Sequence, residues 1–88
     1  MKLKYNFVIN KVAGETIAVS VGETSDRFNG YIKLNDTAAF IFKKLKNDVT
    51  REQLIDMLLA EYPDATKQQA EDSVDEQLEK LESAGLLV

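Results

Sequence analysis

Cysteine and histidine are both absent from the 88 residues. Their absence excludes disulfides, thiolate zinc sites, cysteine nucleophiles, any Ser-His-Asp triad and the side chain most often used for proton transfer near neutrality. An enzyme built without them needs carboxylates, lysines or a cofactor in a concave site, which a domain this small rarely builds unaided. Long hydrophobic runs are missing too. The longest, AAFIF at residues 38 to 42, is far too short to span a bilayer, and the start, MKLKYNFVINK, has no apolar stretch like a signal peptide's. A cytoplasmic protein is therefore expected. Positive charge is in deficit: 11 Lys and Arg against 15 Asp and Glu give a net charge of −4. Such a chain repels a phosphate backbone unless it gathers its cations on one face.

What is present suits one folded domain spanning residues 1 to 88. At this length roughly 60 to 65% of the unfolded chain's surface can be buried, enough for one modest core. Hydrophobic content of 44% beside 30% charged residues argues against disorder.

The first half reads as strands. Residues 5 to 12, YNFVINKV, place Tyr5, Phe7 and Ile9 on one face and Asn6 and Asn10 on the other. Ala13, Gly14 and Glu15 supply a turn. Residues 15 to 21, ETIAVSV, separate Ile17, Val19 and Val21 from Thr16, Ala18 and Ser20, all small or β-branched, as a central strand prefers. After a second turn at residues 22 to 27, GETSDR, a third strand over 28 to 34 sends Phe28, Gly30, Ile32 and Leu34 one way and Asn29, Tyr31 and Lys33 the other. Short connections make this an antiparallel meander with the second strand central.

The second half reads as helices. Asn35 is an N-cap with Asp36 in the first turn, and TAAFIFKKLKN, residues 37 to 47, follows with no loop. That helix is apolar on most sides and should lie between other elements. Thr50 with Gln53, and Thr66 with Gln69, have capping-box spacing. The second helix carries Leu54, Ile55, Leu58, Leu59 and Tyr62 as a stripe and stops at Pro63. The third carries a narrow stripe of Ala70, Val74, Leu78 and Leu81, ends near Ala84 with Gly85 as its C′ residue, and leaves an apolar tail, LLV. The fold class is thus α+β: a three-stranded antiparallel meander followed by three helices, winged helix-turn-helix-like.

Few residues suggest chemistry. The last helix holds Glu71, Asp72, Asp75, Glu76, Glu79 and Glu82 against Lys67 and Lys80. Oxygen ligands at such spacing suit Mg²⁺ or Ca²⁺, but no calcium-loop motif accompanies them, and a solvated acidic face explains them better. The same acids disfavour the other reading of this topology, a winged-helix nucleic-acid-binding regulator, whose recognition helix must be neutral or basic. Lys43, Lys44 and Lys46 form a basic cluster at a helix C-terminus, where cations are favourable in any case. The open edge of the third strand is more informative. Lys33 is its only charge and Gly30 permits close backbone approach, so a peptide can add there as a strand, unless Gly30 serves a bulge or a tight helix contact instead. Dimerisation through that edge or through the LLV tail is a third possibility.

Residues 30 to 45, GYIKLNDTAAFIFKKL, followed by Thr50, Leu54, Leu58, Tyr62 and a final helix ending LESAGLLV, resemble the PqqD family. The resemblance runs from about Gly14 to the C-terminus. Its most specific part is Leu34-Asn35 followed by Thr37-Ala38, Ile41 and Phe42, the last at a position where many members carry Trp. It implies a non-catalytic winged-helix-type module that recognises the leader segment of a ribosomally synthesised precursor peptide and presents it to a modifying enzyme, commonly a radical S-adenosylmethionine enzyme. The leader would lie as an added strand on the backbone of Asn29, Gly30, Tyr31, Ile32 and Lys33. Val74, Leu78 and Leu81 would form the apolar floor of the groove, with Gln77 at its border. Either flank of the last helix can border that groove: Glu71, Asp75 and Glu82 lie on one side of the stripe, Lys67, Gln77 and Lys80 on the other. The expected partners are the precursor peptide and its modifying enzyme, with no cofactor, metal, nucleic acid or membrane.

Overall fold

The computed structural model of the chain describes residues 1–21 and 31–88. Strands β1 (Phe7–Val12), β2 (Glu15–Ser20) and β3 (Tyr31–Leu34) are followed by helices α1 (Asp36–Lys44), α2 (Arg51–Glu61) and α3 (Lys67–Ser83). The sheet order is β1-β2-β3 with both pairs antiparallel, the expected meander. The turn at 22 to 27, and Phe28, Asn29 and Gly30 of the expected third strand, lie outside the described residues.

Register explains the composition of β2. Ala18 pairs with Ile9 on one side and Ile32 on the other, and this small residue is fully buried; Ser20, opposite Phe7, is buried as well. The row of Thr16, Ala18 and Ser20 therefore faces the helices. On the outer face Val8, Val19 and Tyr31 align across three strands, with Val8 and Tyr31 exposed. The β1–β2 turn is a two-residue hairpin in which Ala13 and Gly14 both adopt positive φ, 53° and 81°. Two successive positive φ values match the right-handed twist of the flanking strands.

Leu34 ends β3 and Asn35 begins the helix at once: its backbone is extended and its side chain accepts from the Ala38 N–H at 2.7 Å. Leu34, Ala38, Ile41, Phe42 and Leu45 are all buried, so strand and helix feed one core, joined by Leu54, Ile55 and Leu58 of α2 and by Val74 and Leu81 of α3. Both expected capping boxes form, at Thr50 with Gln53 and at Thr66 with Gln69. Gly85 follows α3 at φ 73°, the left-handed conformation that glycine adopts without strain.

Helix α1 is shorter than the expected 37 to 47. The Leu45 carbonyl, which a continuing helix would use internally, accepts from the Leu3 N–H at 2.9 Å, while the Val49 N–H donates to the Met1 carbonyl at 2.8 Å. An N-terminal segment thus takes over the hydrogen bonding of the last turn. The same segment pairs with the apolar tail, through a Leu3–Leu87 bridge and bonds from Lys4 N–H to Leu86 O and from Val88 N–H to Lys2 O. Leu86 is thereby buried.

Candidate functional site

Because β3 ends the sheet order, its outer side has no strand partner among the described residues. A cleft of about 270 Å³ opens along that side, between β3 and α3. From the strand and the helix start come Ile32, Lys33, Asn35, Thr37 and Ala38; from α3 come Ser73, Glu76, Gln77, Lys80 and Leu81. Helical geometry selects this set: at about 100° per residue, positions 73, 76, 77, 80 and 84 fall on one flank. The groove therefore borders the Gln77 and Lys80 side of α3. The opposite flank faces α2, where the Arg51 guanidinium grips Asp75 with Nε–Oδ1 at 2.6 Å and Nη2–Oδ2 at 3.0 Å. That forked bond holds the Asp75 carboxyl below its ordinary value.

Of the residues assigned to the groove by resemblance, the structure brings Ile32, Lys33, Gln77 and Leu81 together. Asn29 and Gly30 lie outside the described residues. Tyr31, assigned to the edge through its backbone, belongs to β3, and its 59% exposed side chain lies on the outer face of the sheet, away from the cleft. Val74 is completely buried in the core, and Leu78 is half-buried against it; neither reaches the cleft. The physical reason is rotation. Positions 77 and 78 lie roughly 50° to either side of the line through 74 and 81, 77 toward the flank of Ser73 and Lys80 that borders the cleft and 78 toward the flank of Asp75 that faces α2.

Gln77 has chemical interest as a consequence. It is only 8% exposed, yet its amide has no hydrogen-bond partner among the described residues and is not sealed from solvent. It offers two donors and an acceptor at the cleft wall. The rest of the cleft is amphipathic: Ala38, Leu81 and Leu86 supply an apolar base, while Lys33 pairs with Glu15 at 3.6 Å and Lys80 with Glu76 at 3.2 Å at the exposed rim. Thr37 and Ser73 also line the cleft, though the sequence reading did not assign either to it. Their only signal is position, since Ser73 lies four residues before Gln77 on the same flank. Among the described residues no three carboxylates gather to hold a metal ion, and no helix is long and apolar enough to cross a membrane.

A meander and three helices, with an open strand edge looking across a cleft at the last helix, define a small winged helix-turn-helix-like domain. The chain belongs to the PqqD family: the family model described as "Coenzyme PQQ synthesis protein D (PqqD)" matches residues 9–87. Among solved structures it is similar to "TbiB1 in Complex with the TbiA(beta) Leader Peptide", with a TM-score of 0.71 and 22% identity, covering 99% of this chain and 94% of that one. At that identity the likeness is one of fold. Among curated proteins none matches the chain.

Proposed function

We propose that this protein is a non-catalytic recognition module that binds the leader segment of a ribosomally synthesised precursor peptide and presents it to a modifying enzyme. The observation that carries the reading is the open side of β3 bordering the cleft walled by Gln77 and Leu81. Membership of the PqqD family supports it, as does the likeness to a protein solved with its leader peptide. The leader adds as a fourth strand beside residues 29 to 33. Main-chain hydrogen bonds supply affinity that any extended peptide can share, and the cleft selects among leaders by the side chain it admits. In this reading the Gln77 amide bonds the leader backbone, and Ala38, Leu81 and Leu86 receive an apolar side chain. Recognition of this kind needs no proton transfer, in keeping with a chain devoid of histidine and cysteine.

The test is a titration with the leader segment of a precursor encoded beside this gene, followed by backbone amide shifts. Saturating shifts in residues 29 to 34 and on the Ser73–Gln77–Lys80 flank are expected. Shifts confined to other elements, or none, would overturn the reading.

A further inference from the structure

Among the described residues the sheet has a second edge without a strand partner, along β1, and it too borders a cleft. This one measures about 390 Å³ and lies between β1 with its preceding residues and the C-terminal end of α1. Leu3, Tyr5, Phe7, Ile9 and Phe42 give it apolar walls, and among the described residues the only charged ones lining it are Lys43 and Lys46. A third cation stands nearby on a different segment: Lys4 does not line the cleft, but its ammonium lies 5.7 Å from the ring centroid of Tyr5, which does. Among the described residues none of these three lysines is in an ion pair.

Helix-dipole compensation alone does not account for this arrangement. It applies equally to Lys44, whose ammonium instead sits over the Phe40 ring at 5.2 Å, and it says nothing of Lys4, which is not on the helix. The charge is also out of character with the molecule. In a chain of net charge −4, the charged residues lining this apolar cleft are cations only among the described residues, whereas the β3 cleft mixes Glu76 with Lys33 and Lys80.

We propose that the β1–α1 cleft docks an extended acidic segment of a partner protein, added as a strand outside β1, with an apolar side chain seated against the half-buried Leu3, Tyr5 and Ile9 and carboxylates on Lys43, Lys46 and the nearby Lys4. An extended segment fits because a strand edge bonds main chain and admits alternate side chains to the cleft. A protein rather than a nucleic acid fits because three lysines around an apolar cavity make a small phosphate footprint on an otherwise acidic molecule. The two sheet edges then have separate occupants, and the site stands whether or not the β3 cleft binds a leader.

A short capped synthetic peptide alternating glutamate with valine and leucine tests this by amide-shift titration at low salt. Saturating shifts are expected in residues 8 to 12 and around Lys43 and Lys46, weakening as salt is added. The exposed double variant K43E/K46E, checked by its dispersed spectrum, should bind at least about tenfold more weakly. Absence of saturating shifts, equal binding by the counterpart peptide with lysine for glutamate, or equal shifts of the same amides by a short DNA duplex would each overturn the proposal. So would sedimentation of the peptide-free protein as a dimer that K43E/K46E dissociates, since a second copy would then fill the cleft.

Discussion

Phe7 of β1 and Phe42 of α1 meet edge to face, with ring centroids 5.2 Å apart and planes at 82°. This contact fastens one edge of the sheet to the helix that issues directly from the strand at its other edge. Phe42 is 1% exposed and is among the largest fully buried side chains.

Phe42→Ala should therefore destabilise the fold by about 3–5 kcal/mol, from lost transfer energy and the cavity left behind. Small domains have only about 5–15 kcal/mol in total, so much of the population unfolds near the physiological range. Urea denaturation followed by circular dichroism measures this. A loss under about 1 kcal/mol would mean that the ring contact is peripheral to the core.

Ala13 is the one described residue other than glycine at positive φ. Left-handed backbone costs an L-residue with a Cβ about 1–2 kcal/mol, and asparagine tolerates it best. Ala13→Asn should accordingly stabilise the protein by about 0.5–1 kcal/mol, visible as a higher urea midpoint at unchanged slope. An unchanged or lower midpoint would show that the hairpin relaxes the strain by other means.

The Arg51–Asp75 pair gives a pH signature. Its forked hydrogen bonds lower the Asp75 carboxyl below the ordinary 3.8. A carboxyl depressed on folding contributes stability that is present above its unfolded value and is lost as pH falls through the folded value. Carboxyl-carbon NMR should show Asp75 titrating below 3.8, and Arg51→Ala should move it upward. The variant should lose stability at neutral pH and converge on the parent once both forms are protonated. An unshifted Asp75 in the parent would contradict the geometry.

Legibility differed by the range of the interaction. Both capping boxes, the Asn35 cap and the Gly85 terminus are patterns within four residues, and each was readable as a string. The Leu3–Leu87 bridge and the capture of the Leu45 carbonyl join chain regions far apart in sequence, so nothing local announces them or the early end of α1. The cleft was half readable. Alternation within β3 placed Ile32 inward, but on α3 hydropathy drew the stripe through Leu78, while the cleft borders the Gln77 side of Val74 and Leu81. Spacing could not choose between Leu78 and Gln77, since each is three residues from one of Val74 and Leu81 and four from the other; hydropathy then favoured Leu78, because glutamine is rarely buried.

That burial makes Gln77 the sharpest probe of the proposed site. Its amide has no partner among the described residues, so stability alone gives little reason for a polar side chain there. Gln77→Leu keeps a similar volume and removes the donors and the acceptor. If the residue only filled space, the variant would bind leader as well as the parent and be equally or more stable. If the amide bonds the leader backbone, affinity should fall about threefold to tenfold, the equivalent of one or two neutral hydrogen bonds, while the urea midpoint stays or rises. Calorimetric titration beside urea denaturation separates the two cases. Unchanged affinity would remove Gln77 from the site and leave Ile32 and Leu81 to account for selection.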